Sequence, residues 1–307
     1  IFLIKMYIGT LMPEKKLNNE LLGIVYMVIA QFSFATNDAL VKHIYQSFDE
    51  LAVLNQIIFL RGICCLIFIG IFLSIKNQFN LKIIFSSNKL TLRGILEALA
   101  AVGFFIGVAK LPFAMVYILL SLAPIIMTTF GALFLNEKVR WKRWSAVIIG
   151  FTGVVIVINP AELKFGYYFI FPLLSAIFLS IRDLVTKNIK TGHNSLQIAF
   201  IACLVVTIFF GVLSVYKFYS FNLEQSIILI ISAFFLSFGY IFSVLTIKAA
   251  LVSVTSTFRY TAILWGILYG YFFFNETPEY NTYLGAVMIV ISGLIIIMRQ
   301  KQLGKIK

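Results

Sequence analysis

Charge is scarce in this sequence. Asp, Glu, Lys and Arg make up 12% of 307 residues, where a soluble domain carries about a quarter. No polar stretch exceeds about twenty residues, which leaves no room for a water-soluble domain. Cysteine is rare as well. Cys64, Cys65 and Cys203 all lie in apolar runs, and two of them are neighbours that would strain to bridge each other. Apolar packing is expected of them, with no disulfide and no metal site. There are two histidines, His43 and His193, both near the ends of apolar runs. A phosphate-binding glycine loop and metal-spaced His or Cys clusters are missing. No catalytic residue, metal or cofactor is therefore expected, and any driving force has to come from gradients or exchange.

What is abundant is apolar surface. Hydrophobic residues make up 61% of the chain, in recurring runs of about 20 residues, each long enough to cross a bilayer as a helix. The expected fold class is an all-α membrane protein. The spacing predicts ten spans, at 21–42, 50–75, 91–110, 112–135, 142–159, 167–189, 195–217, 225–247, 252–274 and 282–299. The segments 1–20 and 300–307 flank them. "MPEKKLNNE", from Met12, reads as a natural cytoplasmic start, with no cleavable signal peptide.

The net charge of +13 would suggest nucleic acid in a soluble protein. Here the basic residues sit in short loops, and topology explains them without a nucleic-acid partner. With the N-terminus cytoplasmic, 18 of the 25 lysines and arginines fall on the cytoplasmic side and 4 outside. The remaining three, Arg61, Arg182 and Arg259, lie within spans. Both termini are thus expected in the cytoplasm.

The chain resembles itself. "FATNDALVKHI" (34–44) is similar to "FLSIRDLVTKNI" (178–189), and "GALFLNEKV" (131–139) to "GYFFFNETP" (270–278). Gly153 and Gly293 fall at like positions in spans five and ten. Two repeats are expected, 21–159 and 167–299, with five spans each. An odd number inverts the second repeat in the membrane, an architecture suited to alternating access.

The charges within spans are the candidate site residues. Arg61 and Arg259 have two readings. Each captures a carboxylate or phosphate through its rigid fork, or each makes a structural salt bridge to Asp38, Glu97 or Asp183. Tyr260 and Phe258 flank Arg259 and offer an aromatic surface. Glu97 either pairs with Arg93 four residues away or serves as a proton-coupling or ammonium-binding carboxylate. Asp38 and Lys42 share a helix face and can pair, as can Asp183 and Lys187. The repeat sets these pairs on opposite sides of the membrane, where they form two gates or lock the span ends with snorkelling lysines. Glu137 and Glu276 end spans four and nine as contacts between the repeats. Pro124 is expected to kink span four, and Ser121, one turn earlier, to face a cavity. Gly103-x-x-x-Gly107 and Gly266-x-x-x-Gly270 are candidates for close helix crossings.

From here the chain resembles the drug/metabolite transporter superfamily, in its ten-span EamA-type members, over roughly residues 20–300. The resemblance rests on the five-plus-five layout, on "LPFAMVYILLSLAPIIMTTFGALFLNEKVRWKRW" (111–144) and on "FNETPEYNTYLGAVMIVISG" (274–293). More narrowly, "ATNDALVKHI", "FLRG" (59–62) and "FRYTAILWGILYGYFFFNETPEY" (258–280) look like the S-adenosylmethionine uptake transporters of intracellular bacteria. Phe258 stands here in place of a proline before the Arg-Tyr. The resemblance implies a secondary carrier in the bacterial inner membrane, working as a monomer or homodimer among lipids. Its substrate would be S-adenosylmethionine or a similar amino-acid-bearing solute. The alternatives are an amino-acid or metabolite exporter of the same superfamily and, from another class, a structural or enzymatic membrane protein. The gate reading has a direct test: Asp38→Asn should lower transport at matched expression, and unchanged transport rejects it.

Overall fold

The computed structural model describes residues 14–48, 50–78, 88–134, 141–159, 166–187, 195–249 and 256–302. The side chains of residues 14–18, 20, 127, 128, 131–134, 142, 143, 187, 195, 244, 247, 248, 256, 257, 296, 297 and 299–302 lie outside that description. The described residues form helices and no strands. They are α1 (Glu14–Gln46), α2 (Leu51–Ile75), α3 (Asn88–Lys110), α4 (Phe113–Leu120), α5 (Ala123–Phe134), α6 (Trp141–Ile158), α7 (Ile170–Lys187), α8 (Ser195–Ser214), α9 (Leu223–Ala249), α10 (Thr261–Phe274) and α11 (Tyr280–Gln302). Short 3₁₀ turns precede α7 (Gly166–Phe169) and α10 (Ser256–Tyr260).

Among the described residues six helices are long and apolar enough to cross a membrane: 21–46, 51–75, 88–110, 166–186, 196–214 and 223–243. Phe113–Ile126, Trp144–Ile158 and Tyr280–Ile295 are shorter apolar helices. Several helices are apolar around their whole circumference, which suits burial in a bundle surrounded by lipid. Ile67, Ile71, Ile75, Ile148, Val155, Val212 and Phe272 are all exposed, as side chains facing hydrocarbon would be.

Asparagine closes three of the helices. Asn77, Asn159 and Asn275 hold positive φ, a conformation that few residues other than glycine tolerate as well. After α2, the Asn77 N–H bonds to the Ser74 carbonyl and the Gln78 N–H to the Leu73 carbonyl, a Schellman ending. After α10, Asn275 turns the chain back on itself, and the Glu276 N–H reaches the Gly270 carbonyl at 2.9 Å.

Span four is interrupted where proline disrupts it. α4 ends at Leu120 and α5 begins at Ala123, with Pro124 in its first turn, where a missing N–H costs little. The Ala123 carbonyl accepts from Ser180 Oγ at 2.8 Å. The Ser121 hydroxyl turns back onto the Tyr117 carbonyl at 2.7 Å. The break is thus sealed by protein groups.

The packing has a pattern. α1 pairs with α9 and α3 with α7; α3 also meets α8, and α2 meets α9. α2 pairs with α8, α6 with α11, and α4 with α10. Exchanging α1, α2, α3, α4–α5 and α6 for α7, α8, α9, α10 and α11 leaves these pairings unchanged. Glycine allows two of the closest crossings. A carbon added at Gly103 would lie 2.6 Å from the Phe171 carbonyl oxygen of α7. One added at Gly285 would lie 2.5 Å from the Gly153 carbonyl oxygen of α6.

Gly103→Ala is therefore expected to force α3 from α7 and to cost about 1–3 kcal/mol of stability. Gly70→Ala, whose added carbon would meet Phe200 at 3.8 Å, should cost nothing. Thermal unfolding in detergent separates the two.

Candidate functional site

Two groups of polar side chains lie toward opposite ends of the bundle, the first buried and the second partly buried. The first lies where α1, α3 and α10 end and α4 begins. The second lies where α3 begins and α7 ends. Arg93 and Leu111 mark the two ends along α3, about 27 Å apart at a helical rise of ~1.5 Å per residue.

At the first end, Lys42 Nζ donates to Glu276 Oε1 at 2.6 Å and to the Leu111 carbonyl at 3.1 Å. It also lies 4.8 Å from the ring centre of Phe274 and 5.7 Å from that of Phe113. The other Glu276 oxygen accepts the Phe113 N–H at the start of α4. One carboxylate thus joins α1, α4 and the end of α10, and the side chain of Lys42 is only 6% exposed. Asn275 makes this possible, because its left-handed turn sends Glu276 back toward the bundle.

One turn deeper, Asp38 accepts from Tyr117 OH at 2.6 Å and from Asn37 Nδ2 at 2.7 Å. Arg61 NH1 donates to Asn37 Oδ1 at 3.1 Å, and the guanidinium lies over the Phe105 ring at 5.0 Å. Asn37, Asp38, Arg61 and Tyr117 are all buried.

At the second end, Glu97 is held by two arginines. Arg93 NH1 lies 3.0 Å from one of its oxygens, and Arg182 NH1 lies 3.0 Å from the other. Arg182 also reaches Asp183 Oδ1 at 2.8 Å through NH2, and Arg93 Nε donates to Thr186 Oγ1 at 3.2 Å. Arg259 is the loosest member, with its NH1 3.9 Å from Asp183 Oδ2 and its side chain 46% exposed. Three guanidiniums meet two carboxylates here, which leaves one positive charge in excess.

These contacts revise several expectations. Asp38 and Lys42 do not pair, although they share a helix face. Glu276 brings Lys42 a second carboxylate, and two neutral donors satisfy Asp38. Asp183 pairs with Arg182 and, at longer range, Arg259. Lys187 ends α7, but its side chain lies outside the described residues, as does Glu137. Among the described residues Arg61 makes none of its expected salt bridges, to Asp38, Glu97 or Asp183, and bonds a neutral amide instead. Glu97 pairs with Arg93 as its spacing predicts, and with Arg182 as well. Tyr260 is buried, and its hydroxyl fills the notch over Gly293 of α11 without a hydrogen-bond partner among the described residues. Arg259 beside it reaches Asp183 of α7. Ser121 is occupied by its own helix.

Asn37, Tyr117 and Arg182 complete the two groups; the sequence marked Arg182 only as a charge within a span and gave none of the three a role. Arg182 carried the clearest signal, as a charge inside a span. Asn37 and Arg182 precede Asp38 and Asp183 at equivalent places in the repeat, and each bonds its own neighbour. Among the described residues no group of three or more His, Cys, Asp or Glu side chains is placed to hold a metal ion. The arrangement sets charged groups toward both ends of the bundle, with one positive charge in excess at the second.

Comparisons with known proteins identify the family. A family model described as the EamA-like transporter family matches residues 21–159 and 164–298. An S-adenosylmethionine uptake transporter of Rickettsia bellii is 26% identical, the match covering 92% of this chain and 95% of that protein. The pseudopaline exporter CntI of Pseudomonas aeruginosa is 24% identical, over 91% of this chain and 97% of its own. A crystal structure superposes with a TM-score of 0.62 at 12% identity, covering 92% of this chain and 98% of that one, which is a likeness of fold. The family and the named relatives are transporters and not enzymes.

Removing one partner of a buried ion pair leaves the other charge unmet. Glu276→Gln should cost about 3 kcal/mol, with much of the loss recovered in Lys42→Met/Glu276→Leu. Unfolding of the two variants and wild type in detergent measures this. Equal losses in the single and double variants would show that the pair itself is not what matters.

Proposed function

The chain belongs to the EamA-like transporter family, and from that premise we propose that it is a secondary carrier of a small amino-acid-bearing metabolite. S-adenosylmethionine is the leading substrate. The carrier is multi-pass, sits in a bacterial inner membrane, and works by alternating access without ATP. Its ten spans form two inverted halves, with both termini in the cytoplasm. Supporting the inversion is a packing pattern that survives exchange of the halves.

The observation that carries the function is the pair of charge groups toward opposite ends of one bundle, one buried and one partly exposed. The Lys42–Glu276 end is tightly closed, and the Arg259 end is partly open. Alternating access needs this inequality, because the two ends must not open together. Arg259 has a guanidinium with capacity to spare, suited to receive a carboxylate at the open end. An exporter of amino acids or related metabolites is the second reading, since one of the relatives carries that direction in its name.

Uptake of radiolabelled S-adenosylmethionine by bacterial cells expressing the protein tests the proposal. Wild type should exceed empty-vector cells, and Arg259→Ala at matched membrane levels should lose about tenfold or more of the gain, as expected when a charged contact is lost. Uptake that survives the mutation keeps the substrate and makes Arg259 structural. Absence of uptake by correctly inserted wild type rejects the substrate and turns the test to amino-acid export.

A further inference from the structure

Asn37 stands between two opposite charges. Its Oδ1 accepts from Arg61 at 3.1 Å, and its Nδ2 donates to Asp38 at 2.7 Å. The partners fix which way the amide points, since a guanidinium only donates and an ionised carboxylate only accepts. Burying an arginine and an aspartate so close together would ordinarily be settled by a direct salt bridge. Among the described residues no ion pair within 4.0 Å joins them. The neutral amide holds them apart and gives each the contact it needs.

An α-amino-acid head group offers the same two contacts at full charge. Its carboxylate accepts where the amide oxygen accepts, and its ammonium donates where the amide nitrogen donates. The surroundings hold further capacity. Arg61 Nε is buried and has no hydrogen-bond partner among the described residues, so its fork keeps donors in reserve. Asp38 already takes Tyr117 on its other oxygen, which fixes the carboxylate without neutralising it.

We propose that the Asn37 amide is an internal stand-in for the α-amino-acid head group of the solute. On binding, the solute's carboxylate takes the Arg61 contact, its ammonium takes the Asp38 contact, and Asn37 rotates aside. This rests on the carrier reading above and adds the head group selected and the residues that select it. The exchange favours the solute because charge-assisted hydrogen bonds are about twice as strong as those of a neutral amide. It also rejects solutes that carry only one of the two charges, since either Arg61 or Asp38 would then lose its partner.

The test uses purified full-length protein in lipid nanodiscs and two probes, S-adenosylmethionine and its decarboxylated form, which lacks only the carboxylate. Wild type should bind the decarboxylated probe about tenfold more weakly or worse, the cost of one lost charged contact. In Arg61→Gln that preference should fall below about twofold. Asn37→Ala should bind intact S-adenosylmethionine several-fold more tightly, because an internal competitor is gone; a merely structural asparagine would not give tighter binding. Equal binding of the two probes by wild type overturns the proposal and leaves the carrier reading standing, whatever the variants do. So does weaker binding by an Asn37→Ala protein of wild-type thermal stability. Cellular uptake of a labelled solute without an amino-acid head group keeps only a secondary carrier, and overturns both the amino-acid-bearing substrate class and the stand-in. Failure of wild type both to bind and to take up any amino-acid-bearing probe overturns both.

Discussion

Lys42 carries an ammonium group into a place where protein surrounds it almost completely, and much of the architecture at that end follows from satisfying it. The carboxylate that meets it comes from Glu276, 234 residues later in the chain. To deliver that carboxylate, α10 has to stop and the chain has to reverse, which the left-handed Asn275 accomplishes. The same carboxylate accepts the first N–H of α4, so the start of that helix is set by the pair as well. Three segments distant in sequence are thereby held by one residue. A charge in low dielectric tolerates no vague arrangement, because the cost of a missing partner far exceeds the cost of ordering one.

The two ends of the bundle use the same plan with different chemistry. Asp38 and Asp183 are each bonded by the residue before them; Tyr117 of α4 approaches the first, and Arg259, in the 3₁₀ turn before α10, approaches the second. The first half supplies Asn37 and Tyr117, which are neutral. The second supplies Arg182 and Arg259, which are charged. Packing is alike on exchange of the halves, but electrostatics is not. The first end, where Lys42 and Arg61 balance Glu276 and Asp38, is held tightly by short hydrogen bonds. The second end includes the loose Arg259–Asp183 contact and an excess positive charge.

What could be read from the sequence follows the range of the interaction. The apolar runs announced the helices, because hydrocarbon thickness sets their length. The Arg93–Glu97 pair was legible because it spans one helical turn, and the proline in span four marked the break at Ser121–Leu122. The Asp38–Lys42 pairing was also one turn apart and proved wrong, since a distant glutamate competed for the lysine. Tyr117 was invisible within an apolar run, where a tyrosine is as much a hydrophobic residue as a phenol. Arg61 was found as a buried charge, but its amide partner depends on how α1 and α2 pack, and spacing along one helix carries no trace of that.

The interruption between α4 and α5 gives the first of these helices the properties of a lever. Eight residues of α4 make a rod about 12 Å long. A rotation of about 20° at the break would carry Phe113 at its far end through about 4 Å, while Tyr117, halfway along, would travel about 2 Å. Hydrogen bonds fail within about half an ångström of stretch. A small turn at one joint would therefore part both the backbone contact to Glu276 and the phenol contact to Asp38. Mechanical advantage at a two-residue fulcrum thus couples the outermost tie of the bundle to a buried one.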